Sequence, residues 1–215
     1  MSHPLFLKHQ ALLDQAMAAI ATRGYWTPFS EKPSPQVYGE DAMHKGKAAY
    51  EALLGAPFDL DQPGQTAWCG GEQSPYGMPL NITYPQCDTA ALIEAGEAAM
   101  RGWQAIGAAG RTGVCLEILT RLNQQSFELA HAVMMTTGQG LMMAFQAGGP
   151  HAQDRGLEAV AYAWREQSFI PSESIWEKPQ GKNPSIVMKK SFEIVGRGVA
   201  LVIGCGTFPT WNTYP

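Results

Sequence analysis

The sequence predicts an α/β fold in which packed helices lead, through a strand-forming arm, into the first strand of a parallel sheet. Three observations predict it. Between residues 88 and 167, apolar residues recur at helical intervals in successive runs. Residues 186–195 read as strand, set off by Pro184 before them and by Gly196 and Gly198 after them. The run Val199-Ala200-Leu201-Val202-Ile203 is apolar at every position, the pattern of a strand covered on both faces by helices. Composition agrees with a packed globular chain, since 45% of the 215 residues are hydrophobic and only 16% charged. That length suffices for one large domain or two small ones.

The elements follow in order. Residues 4–22 carry Leu5, Leu12, Leu13, Ala16, Ala19 and Ile20 at helix-like intervals, and Gly24 stops the pattern. Residues 25–86 are dense in Pro and Gly and read as ordered loop, with a short helix over 40–54. Residues 79–84 alternate apolar with polar after a turn at 74–77, predicting a strand that ends at Pro85. Asp88 is the expected N-cap of a helix with Leu92, Ala95, Ala99, Trp103 and Ile106 on one face, broken near 107–110. A second helix begins near Arg111, carries Cys115, Ile118, Leu119, Leu122, Leu129, Ala130 and Val133, and stops at Gly138-Gln139-Gly140. Further helices are predicted over 141–147 and 155–167. Met134, Met135, Met142 and Met143 fit either core gap-filling, the commoner use, or a soft ligand surface. The strand at 199–203 has no parallel partner in the sequence. Its unpaired amides and carbonyls predict that the chain is the front part of a longer protein.

Fifteen basic against nineteen acidic residues leave a net charge of −4 and a pI of about 5.7. A nucleic-acid groove is thereby disfavoured, because Lys189-Lys190 is the one notable basic cluster. Residues 1–13 show no basic stretch followed by an apolar run and a cleavage site, and 199–203 is far too short to span a bilayer. The expectation is a cytoplasmic chain with no membrane segment, in which Cys69, Cys87, Cys115 and Cys205 are reduced; no Cys-x-x-Cys pair occurs. His3, His9, His44, His131 and His151 show no metal-ligand spacing, so no metal is expected. Asn81-Ile82-Thr83 matches a glycosylation acceptor by coincidence in such a chain. Neither Gly196-x-Gly198 nor Gly204-Cys205-Gly206 makes a dinucleotide-binding fingerprint.

The segment after the apolar run, Gly206-Thr207-Phe208-Pro209-Thr210-Trp211-Asn212-Thr213-Tyr214-Pro215, carries the chemistry. In open parallel sheets, ligands collect beyond the carboxyl ends of strands, so Trp211 and Asn212 are placed to touch a cofactor or substrate. A carboxamide is a donor whose charge does not change with pH, suited to a developing oxyanion. The bland alternative is that Asn212 caps the next helix and Trp211 packs beneath the sheet. Cys205, at the strand end, is either a reactive thiol or, more commonly in such a place, a small buried one.

Thr210-Trp211-Asn212 followed by Tyr214-Pro215, after Gly198-Val199-Ala200-Leu201-Val202-Ile203, resembles the Pro-Trp-Asn-Phe-Pro motif and its leading strand in aldehyde dehydrogenases. Asp88, Ala91, Ala98, Ala99, Trp103 and Arg111 resemble the first helix pattern of that superfamily, and Glu128-Leu129-Ala130 with Thr136-Thr137-Gly138-Gln139 its second helix and glycine stop. The resemblance spans roughly residues 68–215. Tyr38-Gly39-Glu40-Asp41-Ala42 and Gly71-Glu72-Gln73-Ser74-Pro75-Tyr76-Gly77 are similar to the phenylacetate-degradation branch, the PaaN-type dehydrogenases. Two departures stand out: Thr210 replaces the usual proline, and Thr213 is an additional residue before Tyr214-Pro215.

The resemblance implies the N-terminal portion of an aldehyde dehydrogenase-like fold, divided as a branch-specific extension (1–67), the helical part of the cofactor domain (68–184), oligomerisation-arm strands (185–198) and a first strand with active-site loop (199–215). It implies NAD- or NADP-dependent oxidation of a small aldehyde, a CoA-linked semialdehyde in phenylacetate breakdown, by a homo-oligomer. A cysteine thiolate attacks the aldehyde, Asn212 donates to the thiohemiacetal oxygen, and Phe208, Pro209, Thr210 and Trp211 line the nicotinamide and ribose side. It also implies that the nucleophilic Cys and the base lie beyond Pro215, so that this stretch alone is inactive. The competing reading is a non-catalytic helical module that binds a partner subunit.

Overall fold

The computed structural model describes residues 3–215; Met1 and Ser2, which open the segment read for an export signal, lie outside the described residues. Helix α1 (Pro4–Thr22) begins where His3 Nδ1 accepts the Leu5 amide and Pro4 occupies the first turn, and it ends at Arg23 in the left-handed region. Two short helices follow, α2 (Pro35–Tyr38) and α3 (Ala42–Glu51), the latter within the predicted 40–54. Strands β1 (Gln65–Gly70) and β2 (Thr83–Cys87) pair antiparallel. Five helices then run in sequence, α4 (Thr89–Ala105), α5 (Gly107–Gln124), α6 (Ser126–Thr137), α7 (Leu141–Gly148) and α8 (Pro150–Ser168). A second antiparallel hairpin, β3 (Glu173–Gln180) with β4 (Asn183–Ser191), precedes the closing helix α9 (Pro209–Thr213).

The main core is a three-helix seam. Leu13 and Ala16 of α1, Leu116 and Leu119 of α5, and Leu157 and Ala161 of α8 are buried together, with Phe29 beneath them. Gly113 lets α1 sit directly on α5, because a Cβ there would lie 2.4 Å from the Phe6 nitrogen. The seam is tied at its polar edge by Glu117, whose carboxylate takes Lys8 at 2.7 Å, His9 at 2.6 Å and Arg121 at 2.8 Å. These three donors hold the Glu117 carboxyl down to about pKa 2. A second cluster joins α6 and α7 through Phe127, Ala130 and Phe145, with Tyr38 edge-on to both phenyl rings at 5.5 Å. Among the described residues no helix is long and apolar enough to cross a membrane, and no group of three or more His, Cys, Asp or Glu is placed to hold a metal ion.

Several boundaries differ from the sequence expectation for identifiable reasons. The helix read from Arg111 to Gly138 is two helices, broken at Gln125. Gln153, fully buried on α8, accepts from Asn123 and donates to Ser126, while Ser126 Oγ donates to the Asn123 carbonyl at 2.8 Å, so the break is pinned by a residue distant in sequence. Helix α8 begins at Pro150 rather than 155, since proline is well suited to a first turn. Strand β2 passes through Pro85 instead of ending there, opposite Trp68 in a two-stranded ladder, where a missing amide costs no second neighbour. The strand at 186–195 is offset to Asn183–Ser191 and pairs with β3.

Residues 199–203 form no ladder among the described residues, and Leu201 and Ile203 are 85% and 81% exposed. A strand exists only through its neighbours' amides and carbonyls, and none of the described strands lies alongside this one. Its start is nevertheless seated. Gly96 of α4 faces Val199, leaving only 3.2 Å to the valine methyl for any added Cβ.

Candidate functional site

The loop after residue 203 folds back on itself through three devices. Gly204 fits against α9, where a Cβ would come within 2.9 Å of the Thr213 methyl. Pro209 opens α9, and the Asn212 and Tyr214 amides close its turns on the Phe208 and Thr210 carbonyls at 3.1 and 3.0 Å. The Tyr214 ring packs among the α1–α5–α8 core residues, and burial pushes its phenol up to about pKa 12.

A fourth tie comes from α6. Gly138 ends that helix in the left-handed conformation with φ 76°, as the glycine stop predicts, and half-buried Gln139 follows it. Gln139 Nε2, of the side-chain amide, donates to the Thr207 carbonyl, while the Gln139 backbone carbonyl accepts from Tyr76 Oη at 2.9 Å. Sequence reading used Gly138-Gln139-Gly140 only as a stop and missed this bracing; its trace was a glutamine beside the glycine that frees it.

Within the loop, Asn212 Nδ2 donates to the Phe208 carbonyl at 2.9 Å and to Cys205 Sγ at 3.0 Å. The two bonds engage both hydrogens of the amide but differ in strength, because an oxygen is a strong acceptor and a sulfur a weak one. The first orients the carboxamide; the second leaves a hydrogen that a better acceptor would take. Asn212 is exposed and, with Arg155, Trp211 and Pro215, lines a shallow groove of about 230 Å³. The capping alternative does not describe it, since Asn212 lies inside α9 and the residue at the N-cap is Phe208.

Cys205 is exposed in residues 1–215, beside a run that has no paired neighbour among the described residues. Its sulfur accepts the Phe208 amide at 3.5 Å. The Phe208 and Thr207 amides, with Asn212 adding to them, hold the thiol below its ordinary range. All four cysteines are unpaired. Phe208 and Trp211 meet edge-to-face at 5.5 Å, with Trp211 40% exposed. The Thr210 hydroxyl is buried without a partner in the described structure. The structure therefore brings Phe208, Pro209, Thr210, Trp211 and Asn212 together in one turn, its carboxamide open to the groove.

Compared with known proteins, the chain matches over its whole length a crystal structure of the NAD-dependent aldehyde dehydrogenase of Burkholderia multivorans, at 58% identity and a TM-score of 0.97. It spans 38% of that protein's length. No protein-family model and no curated protein matches it.

Proposed function

We propose, on the premise that this chain has the architecture of an N-terminal portion of an aldehyde dehydrogenase, that the complete protein oxidises an aldehyde to its acid with a nicotinamide dinucleotide. The observation that carries the reading is the held carboxamide of Asn212: one N–H fixed by the Phe208 carbonyl, the other on a soft sulfur and free to move to a developing oxyanion. Asn212 is the oxyanion donor. Phe208, Pro209, Thr210 and Trp211 form the wall for the nicotinamide and ribose. One observation supports them for that group, an edge-to-face aromatic pair, Phe208 and Trp211, of which Trp211 is 40% exposed. When bound, the dinucleotide supplies the hydride acceptor.

NAD is the cofactor of the solved neighbour, and NADP stays within the reading. The PaaN-like segments at 38–42 and 71–77 support a CoA-linked semialdehyde of phenylacetate breakdown as substrate and a cytoplasmic setting. Self-association through the β3–β4 hairpin is supported by its exposed apolar residues, Ile175 at 76% and Val187 at 61%. The partition at residues 67, 184 and 198 remains part of the same reading, as does the absence of turnover in residues 1–215 alone. Reduction of NAD or NADP by the purified complete protein, followed by absorbance with plain aldehydes and CoA-linked semialdehydes, is the test. The reading expects turnover of at least one class; no reduction of either cofactor by any of them overturns it.

A further inference from the structure

The loop that carries Asn212 is lightly held on its upstream side. Residues 199–203 form no ladder among the described residues, and α9 opens at Phe208 without a side-chain cap. Among the described residues, the bond from Gln139 Nε2 to the Thr207 carbonyl is the one hydrogen bond that ties residues 204–208 to anything beyond the loop and α9. That carbonyl shares a planar peptide with the Phe208 amide, so fixing one end fixes the other. The amide itself has only a long contact to a weak acceptor, Cys205 Sγ at 3.5 Å. One residue on, the Phe208 carbonyl accepts Asn212 Nδ2 at 2.9 Å and the Asn212 amide at 3.1 Å. The peptide held by Gln139 therefore adjoins the carbonyl that orients the carboxamide.

Gln139 is in turn held from both sides. Its backbone amide donates to Thr137 Oγ1 at 3.3 Å, and its backbone carbonyl accepts from Tyr76 Oη at 2.9 Å. Tyr76 belongs to a tight turn in which the Ser74 amide donates to the Met78 carbonyl and the Gly77 amide to the Ser74 carbonyl, each at 2.9 Å. Pro75 of that turn sits against Gly138, where an added Cβ would lie 3.0 Å from the Pro75 Cβ. The Gln139 side chain also carries a cost, since its Oε1 is buried without a partner in the described structure. An apolar side chain would fill that space without the cost, so what glutamine adds there is the Nε2 donor.

We propose that Gln139 is a positioning residue for aldehyde oxidation: by fixing the Thr207–Phe208 peptide it keeps the Phe208 carbonyl, and through it the Asn212 carboxamide, aimed at the reacting oxygen, with Tyr76 steadying Gln139 from behind. The inference rests on the reading of Asn212 as the oxyanion donor.

The test is steady-state kinetics of the complete protein, on its best substrate among plain aldehydes and CoA-linked semialdehydes, with Gln139→Met, which keeps length and lacks the donor. Expected is a fall of about tenfold in kcat and kcat/KM together, the fold-change of one lost hydrogen bond, with KM within about twofold of the parent. Tyr76→Phe, which removes one hydroxyl from an exposed ring, should lower kcat by about two- to threefold. In an Asn212→Ala background either change should alter kcat by less than about 1.5-fold, because nothing is left to aim; a merely structural role would repeat the full loss there. A folded Gln139→Met at the parent kcat, a loss confined to KM, or a loss repeated in full on Asn212→Ala overturns the proposal alone. Asn212→Ala at the parent kcat, or no turnover of any aldehyde, overturns the underlying reading and the proposal with it. Tyr76→Phe in the two backgrounds decides the matter if Gln139→Met does not fold.

Discussion

Two glycines in neighbouring helices predict opposite effects of the same substitution. At Gly113 in α5, an added Cβ would sit 2.4 Å from the Phe6 nitrogen, 2.7 Å from the Leu5 carbonyl carbon and 2.9 Å from Phe6 Cα. Ordinary contact between such atoms is about 3.5–4.0 Å, so α1 has to retreat by roughly 1 Å. All three neighbours are backbone, and no rotamer relieves the clash. With three backbone atoms inside 3 Å, overpacking falls in the upper part of its usual range, about 2–3 kcal/mol, against about 0.8–1 kcal/mol gained from alanine's helix propensity. Gly113→Ala is therefore expected to destabilise by about 1–2 kcal/mol. At Gly102 in α4 an added Cβ meets nothing within 4 Å. There Gly102→Ala should stabilise by about 0.5–1 kcal/mol, from propensity alone. The melting temperatures of the two variants should differ by roughly 3–12 °C by circular dichroism, at about 2–4 °C per kcal/mol for a chain of this size. Equal stabilisation by both would refute the close seat of α1 on α5.

The remaining predictions are briefer. Glu117 has its carboxyl depressed in the fold, so its ion pairs stabilise above the ordinary carboxylate range and are lost as pH falls toward 2; the parent should lose more stability than Glu117→Gln between about pH 5 and 2 in acid titrations of urea unfolding. Asp88 accepts the Ala91 amide at 2.8 Å, and Asp88→Ala should lower stability by about 1 kcal/mol, with the loss in hydrogen-exchange protection confined to the first turn of α4. Residues 1–215 expressed alone should self-associate through the exposed apolar run at 199–203, and Leu201→Lys should reverse this in sedimentation; a monomeric unmodified chain would contradict it.

What the sequence makes legible is local chemistry. Helix α1 follows from Pro4 and the apolar spacing up to Gly24, α4 from the Asp88 cap, and the end of α6 from Gly138. The break at Gln125 is not legible, because Gln153, on another helix, fixes it. Strand β1 is exposed along its length and carries no alternating pattern, so only its pairing with β2 defines it; β3 depends on β4 in the same way. At the site, the resemblance pointed to residues 208–212, and the turn does gather them. The bonds that orient the carboxamide, to Phe208 and Cys205, and the Gln139 brace from α6 are tertiary and have no signature in spacing.

The central claim is that the carboxamide of Asn212 stabilises the oxygen of a reacting aldehyde. It is tested most directly by the kcat for aldehyde of Asn212→Ala in the complete protein, with folding checked by an unchanged melting temperature. The account predicts a fall of about 10²–10³, equivalent to about 2.7–4 kcal/mol of lost oxyanion stabilisation. A folded variant that turns over aldehyde at the parent rate would contradict it.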